Sequence, residues 1–176
     1  MNLLRIPVAL LLLGAAALAG AQARTRYELN EGRVHFTVPP DWAAIMEKTE
    51  GNPQLVVFRV PDASAEGSQD MASVTVKTQL LRGQSTFGAL VQEEFELSKQ
   101  QTGYERDAAG ANENVHQYFV QRGPTRYRVH DRFGETDGVW VHIRCQRPLL
   151  DTTPVAWTQA FDAACQQVIA STGGGA

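Results

Sequence analysis

The chain has 176 residues, with 16 Lys and Arg against 19 Asp and Glu, a formal net charge of −3. No basic excess is present, which excludes a general nucleic-acid binder and a polybasic membrane binder. The length suits one domain with an adequate core.

In chain order, the first segment reads as an address. Arg5 supplies a positive n-region, Ile6 to Ala19 is apolar apart from Pro7 and Gly14, and Ala21-Gln22-Ala23 is an A-x-A cleavage site. Residues 1–23 are therefore expected to be a secretory signal peptide. The apolar run is shorter than the about 20 residues a membrane-spanning helix needs. No cysteine stands near the cleavage site to carry a lipid anchor, so no stable membrane insertion is expected after cleavage. Removal of Arg5 leaves 15 basic against 19 acidic residues, a net charge of −4. Residues 24–171 are expected to form a single domain, with 172–176, including Gly173-Gly174-Gly175, as a disordered tail. The expected location is periplasmic or secreted.

Tyr27 and Leu29 begin a strand, with Glu31-Gly32 as a turn or bulge, and Val34, Phe36 and Val38 alternate with polar residues until Pro39-Pro40. Residues 42–48 are ambiguous between a short strand and a helical turn. Gln54 to Val60 is a strand, and Ala63 to Asp70 is a small, polar loop. Met71 to Leu81 is a strand with Val74, Val76, Thr78 and Leu80 on one face. Ser85 sits at an N-cap position, Thr86 to Gln101 reads as a helix with Phe87, Leu90, Val91 and Phe95 on one stripe, and Gly103 fits the C′ position. Asn114 to Gln121 is another strand, closed by Gly123-Pro124.

The stretch from Thr125 to Ile169 organises the rest. Tyr127, Val129 and Phe133 alternate with Arg126, Arg128, His130 and Arg132; Gly134-Glu135-Thr136-Asp137-Gly138 reads as a turn; Val139, Val141, Ile143 and Cys145 then alternate with Trp140, His142, Arg144 and Gln146. With Phe133 and Val139 flanking the turn, the apolar sets share one face. Thr153 is placed to cap a final helix with Pro154 in its first turn, and Trp157, Ala160, Phe161, Ala164 and Val168 form its stripe. Cys145 and Cys165 are the only cysteines. In an exported chain they are expected to pair across the hairpin and the helix, closing a loop of about 20 residues. Antiparallel strands with separated helices make the fold class α+β.

The run Val34-His35-Phe36-Thr37-Val38-Pro39-Pro40-Asp41-Trp42 resembles the strand and P-x-G-W opening of the PsbP-like superfamily, with Asp41 where that pattern prefers glycine. Leu55 to Phe58, Val74-Thr75-Val76, the mid-chain helix, Val139 to Cys145 leading into Pro148, and Phe161 with Val168-Ile169-Ala170-Ser171 are similar too. The superfamily includes a photosystem extrinsic subunit, a Ran-binding nuclear-import factor and bacterial envelope proteins of the DcrB type. The resemblance covers most of residues 33–171. It implies a twisted antiparallel sheet flanked by helices, a PsbP-like α/β/α sandwich, and a role in binding other proteins. It transfers no catalytic residue.

The outward hairpin face is the most unusual surface: Arg126, Arg128, His130, Arg132, Trp140, His142 and Arg144 form a candidate binding face. In the expected register Arg132 lies opposite Trp140, His130 opposite His142 and Arg128 opposite Arg144. Like charges opposite one another are unfavourable, and either Glu93, Glu94 and Glu96 of the mid-chain helix or an external acidic partner would relieve them. Asp131 falls on the apolar phase, which leaves open a wet inner face near the turn or a buried pair with a cation. A metal site on His130 and His142 with His116 or His35 lacks ligand spacing, and no metal or cofactor is expected. Gly83-Gln84-Ser85-Thr86-Phe87-Gly88 falls short of a nucleophile elbow because Phe87 replaces its second glycine, and Asp107 with His116 are arbitrary partners for Ser85, so no enzyme is expected. The reading is an exported, non-catalytic protein-binding or accessory protein of the bacterial cell envelope, with an unidentified protein partner and no nucleic acid. The alternatives are a periplasmic immunity or inhibitor protein that neutralises a toxic enzyme, and a small-ligand or metal-binding envelope protein.

Overall fold

The structure, a computed structural model, describes residues 23–65, 70–83 and 85–173. Most of the expected signal peptide and residues 174–176 of the expected tail lie outside them. Alternating apolar positions make β1 (Thr25–Leu29) and β2 (Val34–Val38) a separate two-stranded sheet. The segment 42–48, ambiguous in sequence, is mostly the strand β3 (Ala43–Lys48), followed by β4 (Gln54–Val60) and β5 (Ala72–Leu80) in a meander. The helix α1 (Phe87–Lys99) leads to a second meander: β6 (Glu105–Asn112), β7 (Val115–Arg122), β8 (Thr125–Thr136) and β9 (Val139–Pro148). This meander returns to pair β9 with β5, so the seven-stranded antiparallel sheet runs β3-β4-β5-β9-β8-β7-β6. The terminal helix is α2 (Val155–Ser171).

The two faces of the sheet are covered differently. On one face Val56, Phe58, Val74, Val76, Val141, Ile143 and Cys145 pack against Leu29, Val34, Phe36 and Val38 of the small sheet and Phe161, Cys165 and Val168 of α2. Tyr27, Phe36, Trp42 and Phe58 add ring contacts with centroids 4.9–6.4 Å apart. Burying each such side chain is worth about 1.5–3 kcal/mol. On the other face α1 lays Leu90 and Val91 on Phe133 and Trp140. β9 is therefore buried on both sides, with Trp140 and Val141 only 1% and 3% exposed.

The β8–β9 turn differs from the expected five-residue loop. Asp137 (φ 49°) and Gly138 (φ 71°) form a two-residue turn, and β8 continues to Thr136, paired with Val139. Two successive positive φ angles are the type I′ geometry that matches the twist of a hairpin and selects Asp-Gly. The register moves by three residues: Arg132 lies opposite Ile143 instead of Trp140, His130 opposite Cys145 instead of His142, and Arg128 opposite Arg147 instead of Arg144. An odd shift sends one strand's set to the opposite face. Tyr127, Val129 and Phe133 thus face α1, whereas Val139, Val141, Ile143 and Cys145 face α2.

Smaller departures are local. Thr86, not Ser85, caps α1, its Oγ1 accepting from Ala89 N–H at 3.3 Å. Gly103 lies beyond the helix end at φ 66°, where a Cβ would stand 2.8 Å from Gln121 Cβ. Pro154 takes the cap position of α2, and the Thr153 hydroxyl is engaged with that of Ser64 at 2.9 Å. Ala160, expected in the apolar stripe, is exposed, and Cys165 takes the buried place one turn on. The stretch Glu105–Asn112 is a strand with no clear alternation in sequence. Gly173, expected in the tail, exchanges backbone hydrogen bonds with His35 at 3.0 and 3.1 Å.

Cys145 and Cys165 form the expected disulfide, with Cα atoms 6.4 Å apart and a sequence separation of 20. It ties the central strand β9 to α2. Replacing both cysteines by alanine is expected to lower stability by about 3 kcal/mol, read as a drop in the urea midpoint; an unchanged midpoint would show the packing sufficient alone.

Candidate functional site: a basic strip beside the terminal helix

The register sorts the seven residues of the expected binding face onto two surfaces. Trp140, His142 and Arg144 lie beneath α1, with Trp140 and His142 buried. Arg126, Arg128, His130 and Arg132 lie on the opposite face, beside α2. The hypothetical metal pair His130 and His142 is therefore split by the sheet. Asp107, paired with Gln117, and His116, paired with Asp131, also stand on opposite faces, so no triad assembles around Ser85. Among the described residues, no cluster of three or more His, Cys, Asp or Glu side chains is placed to hold a metal.

Beneath α1 the open question about Asp131 resolves as the buried pair. Asp131 is fully buried, and its carboxylate accepts from Arg144 Nε at 2.7 Å and Nη2 at 2.9 Å, with Tyr118 Oη donating at 3.2 Å. His142 Nε2 stands 3.0 Å from Asp131 Oδ1 but off the line of a good hydrogen bond. Glu94 of α1 reaches down to Lys77 Nζ at 2.8 Å and Arg144 Nη2 at 3.4 Å, so of the three expected glutamates Glu94 answers the arginine. Burial alone would raise the Asp131 carboxyl, but the charges of His142 and Arg144 outweigh it and hold it well below the usual range. Burial, with the Asp131 charge, pushes the Tyr118 hydroxyl up to about 12.

The α2 side is different in kind. Arg126 and Arg132 are exposed; Arg126 meets Glu105 at 2.7 Å and stacks on Phe119 at 4.2 Å, while Arg132 has no ion-pair partner among the described residues. Arg128 is half-buried, near Gln117 Oε1 at 3.1 Å and Asp107 Oδ2 at 3.4 Å. Between this strip and α2 runs a groove. One end is a cavity of about 350 Å³ that includes Arg128, His130, Arg147, Phe161 and the disulfide; the other, about 190 Å³, includes Arg132, Thr136, Ile169 and Thr172. Burial pushes the His130 imidazole down, offset in part by Asp131 on the same strand. Arg147, which the sequence reading did not single out, is 8% exposed. Its signal was its position on β9, opposite Arg128 once the turn is two residues long.

Asp131→Asn is expected to cost about 3 kcal/mol near neutral pH, since it leaves the partly buried Arg144 with Glu94, at 3.4 Å, as its remaining counter-charge. The depressed folded pKa means that Asp131 contributes stability fully present above the unfolded value of about 3.9, and lost as pH falls below it. The variant should therefore lose less stability than the parent between pH 5 and 3 in urea titrations. An equal acid slope would assign the acid sensitivity elsewhere.

No known protein-family model matches the chain, and no curated protein matches it. Among solved structures it is similar to LpqN of Mycobacterium tuberculosis, described as involved in cell envelope biogenesis, at a TM-score of 0.51 and 13% identity over 86% of this chain and 90% of that one. It is similar also to the Ran-binding protein Mog1p of Saccharomyces cerevisiae, at 0.51 and 15% over 86% and 95%. At such identities the likeness is one of fold: the chain has the PsbP-like fold, an antiparallel sheet between helices.

Proposed function

We propose that this protein is an exported, non-catalytic accessory protein of the bacterial envelope, and that it works by binding another protein along the groove beside α2. The observation that carries the reading is the basic strip of β8 beside α2. Among the described residues α2 only flanks β8, and β8 presents Arg126, Arg128 and Arg132 on that side in a chain whose total charge is negative. A local basic strip on an acidic protein steers an acidic partner to one surface and disfavours its approach elsewhere. The disulfide supports an oxidising compartment, and no described helix is long and apolar enough to cross a membrane. LpqN, described as taking part in envelope biogenesis, and Ran-binding Mog1p support a binding role for a chain of this fold.

A photo-crosslinking side chain at position 132 should trap one defined protein in the native envelope. The same group at position 97, exposed on α1, should not. Arg126→Glu with Arg132→Glu should weaken that capture about tenfold or more, a loss of about 1.4 kcal/mol, without changing the melting temperature. Equal trapping from positions 97 and 132 would sink the groove as the docking surface.

A further inference from the structure

The cavity at the disulfide end of the groove is built around two guanidinium groups. Arg128 of β8 and Arg147 of β9 are direct cross-strand partners on the same face, and both line it. Like charges directly opposite one another on a sheet are unfavourable, and burial sharpens the conflict. Arg147 is 8% exposed, and its buried Nε has no hydrogen-bond partner among the described residues. The carboxylate it faces, Asp162 Oδ1, stands 3.6 Å away, beyond hydrogen-bond reach, on a side chain that is 51% exposed. A buried donor left unmade is costly, and native structures seldom keep one without a reason.

We infer that this cavity is a binding site for a carboxylate that bears a short apolar stem, held between Arg128 and Arg147. Guanidinium groups match a carboxylate with paired, charge-assisted hydrogen bonds, and both arginines line the cavity in which such an anion would sit. The charge count selects a monoanion. Asp107 and Asp162 already offset the two arginines at 3.4 and 3.6 Å, so a doubly charged phosphate would meet two carboxylates as well as two cations. The stem follows from the remaining wall, where Phe161, Ala163 and the Cys145–Cys165 bridge give an apolar side to a cavity of about 350 Å³, a size that suits a small organic group. Gln117 and His130 complete the polar floor. The carboxylate can belong to a free organic acid or to an acidic residue or chain end of a bound protein; the site does not depend on the partner proposed above, whose test reads position 132 instead.

The test is a resonance titration of the ¹⁵N-labelled protein with hexanoate, with neutral hexanamide as the control, and with a short apolar peptide bearing either a free or an amidated C-terminus. Hexanoate should shift the amides of Gln117, Arg128, Arg147 and Phe161 saturably, and hexanamide should not. Arg147→Met and Arg128→Gln should each weaken binding about tenfold or more, the size of one charge-assisted contact. Arg147→Met should also melt no lower than the parent, because it removes a buried charge whose Nε has no hydrogen-bond partner among the described residues, and keeps the stem. Tighter binding of the free-ended peptide than of hexanoate would assign the carboxylate to a protein partner; hexanoate binding with the peptide excluded would assign it to a free acid. The inference is overturned if neither carboxylate moves these amides. It falls equally if hexanamide matches hexanoate, or if Arg147→Met melts well below the parent while Arg128→Gln binds undiminished.

Discussion

The two-residue turn at Asp137 and Gly138 decides which way every charge on the central hairpin points. β9 is hydrogen-bonded to β5 on one edge and β8 on the other, so its own facing is settled by the dry contact with α2. The turn then decides which residues of β8 share that side. With a two-residue connection, Asp131 comes opposite Arg144 and Phe133 opposite His142 on the α1 face. A slip of one residue would drive the fully buried Asp131 away from Arg144 and into the layer that contains Ile143 and the disulfide. The energetic gap against that slip is the cost of an unpaired buried carboxylate, which exceeds any single packing loss in the hairpin.

The two layers over the sheet are consequently held by different forces. α2 and the β1–β2 ribbon sit on an apolar surface of valines and phenylalanines, and a covalent bond locks α2 to it. α1 has a short apolar contact, Leu90 and Val91, and beyond it the contact with the sheet turns polar. There Glu94 reaches Lys77 and Arg144, and Ser98, fully buried, donates back to the Glu94 carbonyl at 2.8 Å. Asp131 faces Arg144 and His142, and Glu94 faces Lys77, Arg144 and His142, so each anion has at least two basic groups near it. Such a cluster adds little net stability relative to a packed apolar layer, because desolvation consumes most of the attraction. What it supplies is position: α1 has one rotation about its axis in which Glu94 finds its partners.

Much of this was legible in the residues. The alternation in β2, β4 and β5, the two helices, the paired cysteines and the α+β class follow from periodicity and compartment. β6 did not, because Glu105–Asn112 lacks both alternation and β-branched or aromatic residues. The hairpin misled for a physical reason. Alternation of Val139, Val141 and Ile143 with Trp140, His142 and Arg144 has the look of a half-solvated strand, yet in a strand covered on both sides the same period separates two buried faces. Two signals pointed the other way. Asp-Gly marks a two-residue hairpin, and Trp140 is an odd choice for a solvated position. Asp131, in phase with Val129 and Phe133, was itself the sign that a cation must lie across from it.

The position of the open strip follows from dimensions. Seven strands at about 4.8 Å spacing span about 29 Å, while one helix of about 10 Å and a two-stranded ribbon of similar width cover about 20 Å. Among the described residues one edge of the sheet is therefore left more open on that side, because the β1–β2 ribbon and α2 are committed to β4, β5 and β9 by Phe36 on Phe58 and Cys165 on Cys145. The more open edge is thus β6 to β8, and on this side Gln117, Gln121, Arg126, Arg128 and Arg132 stand beside Phe119 and the buried Val115, a mostly polar surface suited to water or to a polar partner. Arg144, alike in sequence, is unavailable to such a partner because Asp131 holds it on the far side. Arg147 sits between the two cases: near enough to the open edge to line the groove, yet only 8% exposed, with Asp162 at 3.6 Å. That intermediate depth, with a buried Nε that has no hydrogen-bond partner among the described residues, is what sets it apart from the exposed arginines.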